Sequence, residues 1–166
     1  MQTRPVLVSL LLMLIFVAGC TGQSAPAANP SEQTQSVSNA DDLSGMYEFL
    51  REGEFVQVTL EDGQVTGFVS RYGDSASDKG AFLDQFFSKA ALDGNKLTFT
   101  TKPVHDLWYE FAGTIDRGTA KAPTDEGYRV LRGKLTQFTT DASKKVTSKT
   151  RDVEFKSFPK DADDTQ

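Results

Sequence analysis

The sequence predicts an all-β domain, an antiparallel meander of about eight strands that forms a small closed or partly open barrel. From residue 43 onward, apolar and polar residues alternate with a period of two, which is typical of strands with one buried face. Gly67, Gly113 and Gly133 lie inside such runs, where glycine permits a sheet to curl strongly. Curling into a barrel also removes exposed sheet edges.

Turn signals divide the alternating runs into strands. Asp62-Gly63 and Asp93-Gly94-Asn95 are hairpin signals, 116–127 is a longer loop, and 141–145 is a polar turn. The predicted strands lie near 45–51, 54–61, 64–72, 86–92, 96–102, 107–116, 127–139 and 145–157.

Residues 79–91 fit two different structures. One is a short helix that covers a barrel end, and the other is a loop that leads into a strand. Gly80 opposes a long helix. The helix is suggested by apolar residues at helical spacing, namely Phe82, Leu83, Phe86, Phe87 and Ala90.

Residues 1–19 have the layout of an export signal. Arg4 supplies a positive charge, and an apolar run extends from Val6 to Ala18. This run is too short to span a membrane comfortably. It ends in the four residues Val17-Ala18-Gly19-Cys20.

This ending resembles the signal of bacterial lipoproteins, in which an aliphatic residue and two small residues precede a cysteine. The resemblance implies a diacylglycerol thioether on Cys20, cleavage before Cys20 and acylation of the new amine with a chain such as palmitate. Cys20 is the single cysteine of the chain, so it has no partner for an intramolecular disulfide. The implied location is the cell envelope. Thr21 in place of aspartate implies the outer membrane, facing the periplasm or the surface, if the host has two membranes.

The remaining segments give the predicted organisation of the chain. After the signal (1–19), residues 20–42 carry the lipid anchor and a tether rich in small and polar residues, which we expect to be disordered with a reach of about 25 Å. The β domain covers 43–158, and 159–166 is an acidic, disordered tail. The start of the domain, Leu43-Ser44-Gly45-Met46-Tyr47, followed by a meander with glycine in mid-strand, resembles small calycin-type barrels such as lipocalins and avidins. No ligand motif of those families carries over, so the resemblance implies only the barrel.

Few residues in the domain suit catalysis. The chain has one histidine, His105, and its cysteine is assigned to the anchor, so nucleophilic triads and the usual zinc sites lack their parts. We therefore predict no enzyme, no metal and no cofactor. Another hypothesis is a hydrolase that uses carboxylates for catalysis. Its candidate residue is Glu110, which shares a strand face with Trp108.

Basic residues gather in the last two predicted strands. They either contact an anionic partner, such as lipid headgroups, lipopolysaccharide or an acidic protein, or form a solvated outer face. The net charge of −5 gives no reason to expect nucleic acid as a partner. The basic set is Arg129, Arg132, Lys134, Lys144, Lys145, Lys149 and Arg151.

The sequence thus predicts a membrane-anchored lipoprotein whose non-enzymatic barrel binds a small apolar ligand or an envelope partner. The alternative is a structural or assembly lipoprotein that acts through its outer surface.

Overall fold

Eight antiparallel strands follow one another around one curled sheet in a computed structural model that describes residues 43–161. Each strand pairs with the next along the chain, which confirms the predicted all-β meander. The predicted signal and tether, and residues 162–166 of the predicted tail, lie outside the described residues. The strands are β1 (Gly45–Glu48), β2 (Phe55–Glu61), β3 (Gln64–Tyr72), β4 (Phe82–Asp93), β5 (Lys96–Thr101), β6 (Leu107–Arg117), β7 (Arg129–Thr140) and β8 (Val146–Lys156).

The first and last strands meet at a short seam. Tyr47 in β1 pairs with Ser157, which follows β8 directly. Next to this pair, the amide of Phe158 donates a hydrogen bond to the carbonyl of Met46, with an N–O distance of 2.8 Å. The seam brings the two ends of the sheet together and curls it around a common interior.

β3 and β4 separate along part of their length. Residues 68–72 of β3 pair with residues 82–86 of β4. Among the described residues, 64–67 pair with β2 alone and 89–93 pair with β5 alone. The sheet is therefore a half-barrel, the partly open form of the predicted architecture.

Glycines allow the backbones of neighbouring strands to approach where the sheet curls. Gly113 and Gly133 face each other in the β6–β7 pairing. A Cβ atom on Gly133 would lie 2.4 Å from the carbonyl oxygen of Ala112 and 2.5 Å from the Cα of Gly113. A Cβ atom on Gly67 would lie 2.0 Å from the carbonyl oxygen of Gln57. No side chain fits at these positions unless the backbone moves, so these residues support the predicted curl.

The helix considered near 79–91 is wrong, because β4 runs as a strand from Phe82 to Asp93. The helical spacing arises from aromatic residues on opposite faces of a strand: Phe82 and Phe86 are 51% and 56% exposed, whereas Phe87 packs against the core. A bulge between Phe87 and Lys89 then shifts the alternation by one residue, which turns Leu92 toward the core. The other interpretation, a loop that leads into a strand, is confirmed.

Side chains fill the middle of the half-barrel. The rings of Phe87, Phe99 and Phe111 form a stack, with centroids 4.4 Å and 5.2 Å apart. Burial of one such large apolar side chain stabilises the fold by about 1.5–3 kcal/mol. The two interior cavities described below therefore lie at the ends of the half-barrel and not in its middle. Around the stack lie fully buried aliphatic residues: Val56, Val58, Val69, Leu97, Leu131 and Leu135.

Candidate ligand-binding site

A cavity of about 560 Å³ opens at the end of the half-barrel where the chain enters the domain. We call this cavity the mouth. Its floor is apolar and its rim is polar, a combination typical of small-molecule sites, and its volume falls in their usual range of about 300–1,000 Å³. The floor consists of Leu43, Leu60, Leu92 and Ile115, and the rim of Gly63, Gly94, Asn95, Asp116, Arg117 and Arg129.

Strand ends and tight turns keep the mouth open. Asp62 and Gly63 both have positive φ, at 50° and 74°, as a two-residue type I′ hairpin turn requires. Nothing lies within 4 Å of where a Cβ atom of Gly63 or Gly94 would be. Since β3 and β4 also diverge here, the half-buried Leu60 and Leu92 face a cavity instead of a packed partner.

Hydrogen bonds hold the rim of the mouth in place. The side-chain amide of Asn95 donates to Asp116 Oδ1 at 3.0 Å, and the Thr114 hydroxyl donates to Asp116 Oδ2 at 2.7 Å. Arg117 donates to the carbonyl of Tyr128 at 2.7 Å and lies over the Tyr128 ring, 3.6 Å from its centroid. The polar groups around the mouth are thus positioned before any ligand arrives, which lowers the entropic cost of binding.

The opposite end of the half-barrel is polar inside. We call it the polar end, and it contains a pocket of about 210 Å³. The pocket is lined by Leu50, Arg51, Glu54, Asp74, Tyr109, Gln137 and Arg151.

Glu54 organises one side of the polar end. Its carboxylate is 2% exposed and accepts hydrogen bonds from Arg51 Nε at 2.8 Å and from the backbone amide of Tyr72 at 3.0 Å. Arg51 also forms an ion pair with Glu54 at 2.6 Å and another with Asp74 at 3.3 Å. A buried carboxylate requires such partners, so Glu54 ties the β1–β2 turn to the end of β3.

Arg71 and Tyr109 extend this charged cluster into the interior. Arg71 is 3% exposed and donates from Nη1 to Asp74 Oδ2 at 3.0 Å. Tyr109 is also buried, and burial raises the pKa of its hydroxyl to about 12. The phenol is therefore neutral at physiological pH and available as a hydrogen-bond donor.

The basic residues predicted as one surface lie in several environments. Arg132 pairs with Glu154 at 2.9 Å, and Lys134 pairs with Asp152 at 2.8 Å, on the outer face of β7 and β8. The acidic partners Asp152 and Glu154 follow Arg151, the last member of the basic set, and the register of the hairpin around 141–145 places them opposite Lys134 and Arg132.

The other members of the basic set are divided between the two ends and the solvent. Arg129 lies at the rim of the mouth and Arg151 lines the polar end. Lys144 and Lys145 belong to the exposed turn after β7, and Lys149 is exposed on β8. An anionic partner for the whole set stays a prediction.

Trp108 and Glu110 lie on the outer face of β6. They alternate with the buried residues Leu107, Tyr109 and Phe111. The Trp108 ring stacks on Phe138, with centroids 5.0 Å apart. Glu110 is exposed to solvent, so the second face on which it was predicted is the outside of the half-barrel.

His105, the single histidine, lies in the exposed turn before β6. Its Nδ1 is 2.7 Å from Asp78 Oδ2, which links this turn to the loop before β4. Within residues 43–161 there is no group of three or more metal-ligating side chains, and no helix is long and apolar enough to cross a membrane.

Comparison with protein-family models, curated proteins and solved structures finds no match to this chain.

Proposed function

We propose that this chain is a lipid-anchored protein of the cell envelope that binds a small, largely apolar molecule in the mouth of its half-barrel. The observation that carries the proposal is the mouth itself, a cavity of about 560 Å³ with an apolar floor and a hydrogen-bonded polar rim. The lipid anchor rests on the sequence around Cys20. Because side chains fill the middle of the half-barrel, the ligand would lie at its end and not in a central lumen.

The chemistry of the mouth defines the ligand class. Leu60, Leu92 and Ile115 supply apolar contacts, and the amide and carboxylate of Asn95 and Asp116 supply hydrogen bonds at the rim. A molecule with an apolar body and one polar group satisfies both parts. Binding without chemistry is also consistent with the few catalytic groups in the sequence.

A charge placed in the floor of the mouth should abolish this binding. With the chain from residue 21 onward and N-phenyl-1-naphthylamine as fluorescent probe, we expect Leu92→Glu to weaken binding at least about tenfold, because the carboxylate must lose its hydration. Val146→Glu is the control, since Val146 is an apolar residue, 51% exposed, on the strand β8. A folded Leu92→Glu protein that binds the probe as tightly as the unmodified chain would contradict the proposal.

A second candidate function is contact with another envelope protein through the outer face of β2, β3 and β4. Phe68 lies between Phe55 and Phe86, with ring centroids 5.8 Å and 5.5 Å away. Phe82 packs on Tyr72 at 4.6 Å, yet half of its surface remains exposed. Exposed aromatic clusters of this kind often mark protein interfaces.

Photocrosslinking in intact envelopes tests this second function. We expect p-benzoylphenylalanine in place of Phe86 to give an adduct with a second protein, because the reactive ring would lie in the contact. The same group in place of Val146 should give none, since that exposed apolar residue lies outside the aromatic cluster. Recovery of monomer alone from the Phe86 position would rule out the contact.

A further inference from the structure

Three hydrogen-bond donors in the polar end converge on one pocket without a protein partner. Arg151, Gln137 and Tyr109 line the cavity of about 210 Å³. The Nε atom of Arg151 is buried and makes no hydrogen bond. Among residues 43–161, the side-chain amide of Gln137 and the hydroxyl of Tyr109 also make no hydrogen bond. The backbone amide of Tyr109 donates to the hydroxyl of Thr101. Buried donors are normally satisfied, so the unsatisfied Nε atom of Arg151, beside two further donors without a protein partner, indicates a missing acceptor.

The charges around the pocket leave one positive charge in excess. Arg51 pairs with Glu54 and Asp74, and Arg71 pairs with Asp74 at 3.0 Å. These two arginines and two carboxylates balance one another. Arg151 has no ion-pair partner within the described residues, so its guanidinium is the unmatched charge of the polar end.

We propose that the polar end binds a small monocarboxylate, whose oxygens accept hydrogen bonds from Arg151, Gln137 and Tyr109. A guanidinium fork matches the two oxygens of a carboxylate. The single excess charge favours a monoanion, because the nearby carboxylates of Glu54 and Asp74 would repel a second negative charge. Leu50 provides an apolar wall for a short carbon chain.

The size of the pocket limits the ligand. A water molecule occupies about 30 Å³ in the liquid, so 210 Å³ corresponds to roughly seven water molecules. This volume suits an acid with a few carbon atoms. The pocket lies at the opposite end of the half-barrel from the mouth, so this site is distinct from the one proposed above.

Thermal unfolding of the full-length mature protein in detergent, with sodium propionate as probe, tests the proposal. At constant ionic strength we expect propionate to raise the Tm with an apparent Kd on the order of 1 mM. Arg151→Gln should weaken this effect at least about tenfold. Tyr109→Phe, which keeps the buried ring and removes only the hydroxyl, should weaken it about threefold to tenfold.

Arg132→Gln is the matched control, because Arg132 is an exposed arginine on the neighbouring strand that pairs with Glu154. Its propionate affinity should equal that of the unmodified protein. Three results would overturn the proposal: no propionate-dependent rise in Tm, an equal rise with inorganic phosphate, or unchanged affinity in both Arg151→Gln and Tyr109→Phe.

Discussion

Cys20→Ala is expected to abolish incorporation of labelled palmitate into the protein and to remove the lipid from its mature N-terminus. The expectation follows from the sequence Val17-Ala18-Gly19-Cys20, in which the cysteine thiol would receive the diacylglycerol. Each buried methylene of an acyl chain adds about 0.8 kcal/mol to membrane binding, so two or three chains hold a protein firmly. Metabolic labelling and mass spectrometry of the purified chain measure the effect directly.

Thr21→Ala is the matched control for the lipid anchor. It changes the neighbouring residue and leaves the four-residue pattern intact, so labelling should persist. Label on the Cys20→Ala chain, or an unmodified thiol at Cys20 in the native protein, would contradict the lipoprotein assignment. In either case the proposed location at the envelope membrane would be wrong. The proposals for the two binding sites of the domain would be unaffected.

Glu54→Gln is expected to lower the free energy of unfolding by about 2 kcal/mol. The carboxylate is 2% exposed, and its oxygens accept hydrogen bonds from Arg51 and from the Tyr72 amide. Both of these bonds go to Oε1, and Oε2 accepts from the backbone amide of Arg51 at 3.2 Å. Glutamine keeps the shape but has one acceptor oxygen, so its NH₂ group would face either the Arg51 backbone amide or the two donors at Oε1. At least one donor then loses its partner, and the ion pair with Arg51 loses its negative charge. Urea denaturation of the chain from residue 21 onward measures the loss.

The matched control is Glu154→Gln, which breaks an ion pair with Arg132 on the outer face of the sheet. Both partners are largely exposed, and surface ion pairs contribute little to stability. We expect its urea midpoint to stay close to that of the unmodified chain. Equal destabilisation by the two substitutions would show that burial of Glu54 has no special role.

Local patterns in the sequence predict much of the fold. The Asp62-Gly63 signal gives a two-residue hairpin, and Gly113 and Gly133 lie opposite each other where the sheet curls. Residues 79–91 were ambiguous because a strand with aromatic residues on both faces has the same spacing as one face of a helix. No local pattern predicts the bulge after Phe87, which shifts the alternation by one residue.

The candidate sites depend on contacts between distant strands, and local patterns do not reveal them. Arg151 was grouped with the basic outer residues, but it points into the polar end, where Tyr109 and Gln137 from other strands meet it. The floor of the mouth joins Leu60, Leu92 and Ile115 from three strands. Their apolar character predicts burial, and only the divergence of β3 and β4 turns them toward a cavity.

The seam between Tyr47 and Ser157 also bears on the kinetics of folding. Each strand pairs with the strand that follows it in the sequence. Hairpins can therefore form one after another, each at a small cost in loop entropy. The seam joins residues from the two ends of the domain, so its contacts can form only when the rest of the sheet is in place. Contacts that form after the transition state govern the unfolding rate and leave the folding rate unchanged. We therefore expect the seam to affect how long the native state persists more than how quickly it is reached.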